Sequence, residues 1–208
     1  MGSLTSGLQL LQSAVRYALA SSELVTAPAL PRPTPCVGWD VAGLLDHVGE
    51  SVGVLRDAIT AGCADPGPLS CDNSVWLDPV GGLQRQATRL LATCTAAGSA
   101  QQVVAIGDCE LATSMVAIAG ALEVTVHGWD ISAACGSSRP IPVELAGILL
   151  PLAPLLITPA SRRGLFADPV PVPVDASLGD QLVAFLGRRP SLPAAARTGS
   201  APKMTRGH

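Results

Sequence analysis

Glu123 and His127 lie four residues apart, just after a stretch from Met115 to Leu122 that is wholly apolar or small. On a helix that spacing puts both side chains on one face, a turn apart. A carboxylate on an apolar helix face is costly unless it finds a partner or gives up its charge. A divalent metal ion is such a partner, because it takes a carboxylate oxygen and an imidazole nitrogen together. Glu-plus-His pairs on bundle helices build sites of this kind. A third ligand has to come from elsewhere in the chain. Of the three histidines, His208 falls in the last residues, which leaves His47. Two histidines and one carboxylate keep coordination positions open, the mark of a catalytic rather than a structural centre. The set His47, Glu123 and His127 suits zinc first, and tolerates nickel, iron or manganese. The residue types leave a second reading open. In it the histidines are core residues and Glu123 pairs with Arg85 or Arg89.

Helices are needed to hold these residues. Apolar residues recur at Leu4, Leu8, Leu11, Val15 and Leu19, in steps of three or four, so a first helix is expected from Leu4 to about Leu24. The proline-dense stretch from Ala27 to Pro35 is a connector. A second helix is expected from Asp40, its N-cap, to about Ala61. Its stripe is Val41, Leu44, Leu45, Val48, Val52 and Leu55, and it carries His47. Gly62 to Asp78 reads as a loop punctuated by Asp65-Pro66-Gly67-Pro68. A third helix runs from Gly81 to Ala97, with Leu83, Ala87, Leu90 and Leu91 on one side. The fourth begins near Cys109, carries Glu123 and His127, and ends at about Cys135, before Gly136.

Beyond the fourth helix, a short one is expected over Val143 to Leu150. An extended stretch from Phe166 to Val174 alternates with prolines, and a last helix runs from Ser177 to Leu186, with Asp180 completing a capping box. The residues after Arg189 read as a disordered tail. No strand pattern recurs often enough to build a sheet. The expected class is therefore all-α, a four-helix bundle with a short C-terminal extension over residues 1–190, then a tail over 191–208.

Composition narrows the function classes. Apolar residues make up 48% of the 208, enough for a real core, and charged residues only 14%. A net charge of −3 and no Lys/Arg cluster argue against nucleic acid as a partner. No apolar run approaches the ~20 residues that span a bilayer, and with Arg16 interrupting the first apolar stretch no secretory signal is expected. The expected location is cytoplasmic, the expected ligand a small molecule. None of the six cysteines forms a CxxC pair, so they are expected to be reduced rather than zinc-binding.

The segment Thr34-Pro-Cys-Val-Gly-Trp-Asp-Val-Ala-Gly-Leu-Leu-Asp-His47-Val resembles the first signature of the DinB-like, mycothiol-dependent maleylpyruvate isomerase N-terminal domain family. Glu123-Val-Thr-Val-His-Gly-Trp-Asp130 resembles that family's second motif, E-x-x-x-H-x-x-D. The stretch from Phe166 to Pro190 is similar to the closing segment of a single-domain actinobacterial subgroup. The resemblance implies that His47, Glu123 and His127 bind the metal, and that the bundle is DinB-like. It implies mycothiol as cosubstrate, with the metal presenting the thiol to an electrophile in an S-transfer or an isomerisation. By the same resemblance, homodimers are common in this fold family. Only 78 residues follow Asp130, so the isomerase's second domain is expected to be absent and a transferase is favoured. The alternatives are a Lewis-acid isomerase, lyase or cyclase of a specialised pathway, and a metal-binding protein without turnover.

The neighbouring residues carry weaker expectations. Asp130, three residues beyond His127, is placed either to accept a hydrogen bond beside the metal or to sit solvated near the helix end. Trp39 and Pro35 shape the start of the second helix. Asp46 points away from His47, because adjacent helical residues do not share a face. Cys36 is expected to pack rather than react, with nothing cationic beside it. Arg162, Arg163, Arg188 and Arg189 are of a type that binds carboxylates, but the solvated surface is the expected place for each.

Overall fold

The computed structural model describes residues 7–64, 78–97, 103–106, 109–137, 139–163 and 166–190. The loop signal at Asp65-Pro66-Gly67-Pro68 and the tail over 191–208 lie outside the described residues.

The chain is mostly helical. Four long helices, α1 (Gly7–Ser22), α2 (Val41–Ala61), α3 (Pro79–Ala97) and α4 (Thr113–Ala134), form the body. α1 lies chiefly against α4, and α2 against α3, with contacts of α2 to α4 and α1 to α3 completing the packing. The expected stripes face inward. Leu11, Val15, Val41, Leu44, Leu45, Val48, Leu83 and Leu90 are all buried to within 2%. Asp40 caps α2 as its residue type predicts, its side chain accepting from the Gly43 N–H at 2.8 Å. α4 is buried on several sides, as a helix without a polar face must be. It approaches α1 closely at Gly128, where an added Cβ would lie 3.0 Å from the Ala18 Cα.

Three expectations need correction. Residues Cys109–Ala112 are not the first turn of the fourth helix. They form a strand, β3, antiparallel to β2 (Val103–Ile106), which pairs in parallel with the two-residue β1 (Cys63–Ala64). The small three-stranded sheet caps one end of the helices, where β2 also touches α2 and α4. Neighbouring backbone, supplied to β3 by β2, decided what local apolar pattern could not.

The short helix after Pro142 is longer than expected. α5 runs over Val143–Leu156, through Pro151 and Pro154. Both prolines are exposed, so the carbonyls they leave without an N–H donor can meet water. A one-turn helix, α6 (Pro159–Arg162), comes next, behind a capping box at Thr158.

The last helix, α7 (Leu178–Phe185), packs on α5. Ser177 caps it by accepting from the Asp180 N–H at 3.1 Å. The reverse half of the expected box takes another form, with the Ser177 hydroxyl donating to the Asp180 carboxylate at 2.8 Å. Among the described residues, no helix is long and apolar enough to cross a membrane.

Candidate metal centre

His47 and Ser51 are one turn apart on α2, and Glu123 and His127 one turn apart on α4. The two helices face each other so that these pairs meet. His47 Nε2 lies 3.4 Å from Glu123 Oε1, and the Ser51 hydroxyl donates to the same oxygen at 2.6 Å. The His47 and His127 rings meet edge to face, with centroids 5.2 Å apart. One ligand atom from each of His47, Glu123 and His127 lies within 4.8 Å of the other two. The competing pairing of Glu123 with the arginines of α3 is not what the fold makes, since the carboxylate meets His47 and Ser51 instead.

The donor chemistry fits a divalent ion. Two imidazoles and one carboxylate converge from two helices without a lysine or arginine among them. The histidine side chains are 11% exposed and that of Glu123 is 39% exposed. Burial raises the pKa of the Glu123 carboxyl. The hydrogen bonds of His47 and Ser51 and the charge of His127 outweigh that and leave it below the ordinary carboxylate value.

A second layer stands behind His127. Its Nδ1 is 3.2 Å from Asp130 Oδ2, and Asp130 is fully buried rather than solvated. With Nδ1 turned to the carboxylate, Nε2 is the nitrogen left for the centre. Asp130 in turn accepts from Arg188, through Nη2 at 2.9 Å and Nε at 3.3 Å. Arg188 is only 7% exposed, so its expected place on the solvated surface is wrong. The buried Asp130 carboxylate requires a cation, and the chain after α7 brings one to it. Of the other arginines, Arg162 lies over the Phe185 ring and donates to the Ala167 carbonyl. Arg163 and Arg189 are exposed, as expected.

The first-motif residues lie beside both histidines. The Thr34 hydroxyl bridges the backbone of Cys36 and Trp39, and this tight turn delivers the Trp39 ring to 4.9 Å from the His47 ring. Cys36 is half-buried and forms a second cluster with His127 and Asp130. Its thiol is pushed up by burial more than the Arg188 charge pulls it down, so it is not an activated nucleophile, although a cation does act on it. Both Asp130 oxygens are already engaged by Arg188, which leaves the His47–Glu123–His127 group as the better ligand set. Cys36, Cys94 and Cys135 are free thiols.

Sequence reasoning missed Ser51 and Arg188. Ser51 had a signal, since it stands four residues after His47 on the same face. Arg188 had none, as its partner lies 58 residues away. A separate cavity of about 440 Å3 between α1 and α5 is lined by Arg16, Tyr17 and Arg139 among others, and includes none of the three clustered ligand residues.

Two mycobacterial proteins resemble this chain. It is 31% identical over 169 residues to uncharacterized protein Rv0738 of Mycobacterium tuberculosis (strain ATCC 25618 / H37Rv), spanning 79% of this chain and 87% of that one. It matches uncharacterized protein MT0763 of strain CDC 1551 / Oshkosh with the same identity and coverage. No family model and no solved structure matches the chain. The chain belongs to the family of these mycobacterial proteins.

Proposed function

We propose that this family member is a metal-dependent enzyme, a mycothiol-dependent S-transferase acting on a small electrophile, built on a DinB-like four-helix bundle. The observation that carries the reading is the convergence of His47, Glu123 and His127 within 4.8 Å. The two signature segments around these residues support the DinB-like assignment. Mycothiol is supported by the same resemblance. Zinc is the ion proposed.

A divalent ion held there would lower the pKa of a coordinated thiol or water and supply a nucleophile at neutral pH. The chain's own residues prepare the place for it. His47 and His127 offer imidazole nitrogens from facing helices, and Glu123 offers a carboxylate oxygen between them. Ser51 holds one Glu123 oxygen by donating to it, which orients the carboxylate. Trp39 packs its ring against that of His47.

The test is metal analysis of the purified protein and its His47→Ala variant, then titration of the cobalt-substituted protein with mycothiol. The reading expects one ion per chain in wild type, its loss in the variant, and a changed cobalt spectrum with thiol. Equal metal in both proteins would overturn the ligand set. A cobalt spectrum unmoved by thiol would overturn the transferase and leave Lewis-acid chemistry as the next reading.

A further inference from the structure

Arg188 enters the metal centre from the far end of the sequence, and the fold goes to some length to bring it there. α7 ends with Gly187 at φ +82°, a left-handed turn. The Arg188 N–H bonds the Val183 carbonyl and the Gly187 N–H the Ala184 carbonyl, the paired bonds that close a helix and reverse the chain. No other residue type suits position 187, because a Cβ there would lie 2.7 Å from the Ala167 Cβ and 2.8 Å from the Ala167 carbonyl oxygen. The reversal aims the Arg188 side chain at α4. Its Nη1 donates to the Leu186 carbonyl at 2.9 Å, while Nη2 and Nε grip the two oxygens of Asp130. Phe166 lies beside the guanidinium, 5.8 Å from ring centroid to Cζ.

We infer that Arg188 is a positioning residue for the metal centre, acting through Asp130 to fix His127 with its Nδ1–H toward Asp130 and its Nε2 toward His47 and Glu123. Asp130 accepts from the guanidinium on both oxygens, so it faces His127 as an acceptor, and the imidazole nitrogen 3.2 Å away is the donor. That defines the tautomer. An imidazole whose other nitrogen is held by a carboxylate presents a fixed and more basic ligand atom. Without Arg188, Asp130 would be a buried carboxylate with no cation to compensate its charge. The fork of the guanidinium fixes its plane, which a lysine's single ammonium does not. The closing segment thereby becomes part of the centre rather than a cover over the bundle. The inference rests on the metal reading for its consequence, but its structural core concerns the protein without metal.

The experiment has two readouts. The first is the long-range 15N–1H spectrum of the metal-free, 15N-labelled protein, where only three histidines contribute and His47→Ala and His208→Ala together assign them. It should show His127 protonated on Nδ1 in wild type and as a mixture of tautomers in Arg188→Gln. An Nε2–H wild type, or a variant that keeps a single Nδ1–H tautomer, overturns the inference. The second is Zn2+ affinity by chelator competition, expected to fall roughly 10–100-fold in Arg188→Gln and by part of that in Arg188→Lys. Wild-type affinity in Arg188→Gln overturns the inference while leaving the metal site standing. Failure of wild type to bind Zn2+, or equal binding by His47→Ala, overturns the metal reading instead, and the tautomer spectrum still decides the role of Arg188. Should Arg188→Gln not fold, Arg188→Lys carries both readouts, and an unchanged tautomer and affinity there sink the proposal.

Discussion

The Ser51 hydroxyl donates to Glu123 Oε1 at 2.6 Å, across the contact between α2 and α4. The same carboxylate oxygen faces His47 Nε2 at 3.4 Å, so one atom of Glu123 is held by two residues a turn apart on the opposite helix. Ser51→Ala leaves the fold intact but frees the carboxylate to rotate. We expect Zn2+ affinity to fall roughly tenfold, as for loss of an outer-shell partner. Chelator competition on the two proteins measures this, and unchanged affinity would show that Glu123 needs no such support.

Asp130 is fully buried and its cation comes from Arg188. Removing one member of a buried pair strands the other. Asp130→Ala should therefore cost about 3–5 kcal/mol, the usual loss for a broken buried pair. Urea denaturation monitored by far-ultraviolet circular dichroism gives the number, and a loss near zero would mean that water reaches Arg188.

Gly187 stands at φ +82° against Ala167. Gly187→Ala should destabilise by more than the ~1 kcal/mol that a left-handed position alone costs, since the Ala167 backbone also blocks the new Cβ. It should weaken Zn2+ binding as well, because Arg188 is the next residue. A stability loss with undiminished metal affinity would separate the turn from the centre.

Cys94 is buried on α3, and burial pushes its thiol up to about 11 from 9.0. A folded-state value above the unfolded one means that the folded chain holds the proton longer. The stability tied to this group is complete below pH 9 and is lost as pH rises from about 9 towards 11. Cys94→Ala should flatten that alkaline decline. Melting temperatures between pH 8 and 11 test it, and parallel curves for the two proteins would contradict the prediction.

Leu45 is wholly buried on α2, the helix that carries His47 and Ser51. Leu45→Ala should cost about 2–5 kcal/mol through lost transfer energy and the cavity left behind. Its denaturation midpoint is the check, and a cost below that range would mean that the neighbouring helices close over the gap.

The helices were legible because their information is local. The three-and-four spacing of Leu8, Leu11 and Val15, the Asp40 cap and the i,i+4 pair Glu123 and His127 each report on a single turn of chain. The strand Cys109–Ala112 was not legible in the same way. Its apolar residues fit a helix equally well, and only pairing with Val103–Ile106 made it a strand. The Pro151 and Pro154 turns of α5 obey the same rule, since what tolerates a proline is the solvent outside it.

By itself, then, the sequence determined which residues could bind a metal and which faces they occupy, because residue type and helical period are properties of the chain. Tertiary structure decided that His47 reaches Glu123, that Ser51 steadies the carboxylate, and that Asp130 is buried behind His127. It alone placed Arg188 against Asp130, 58 residues away. The physical reason is that a buried charge is tolerable only beside its partner, and no local pattern records which distant residue the fold will bring there.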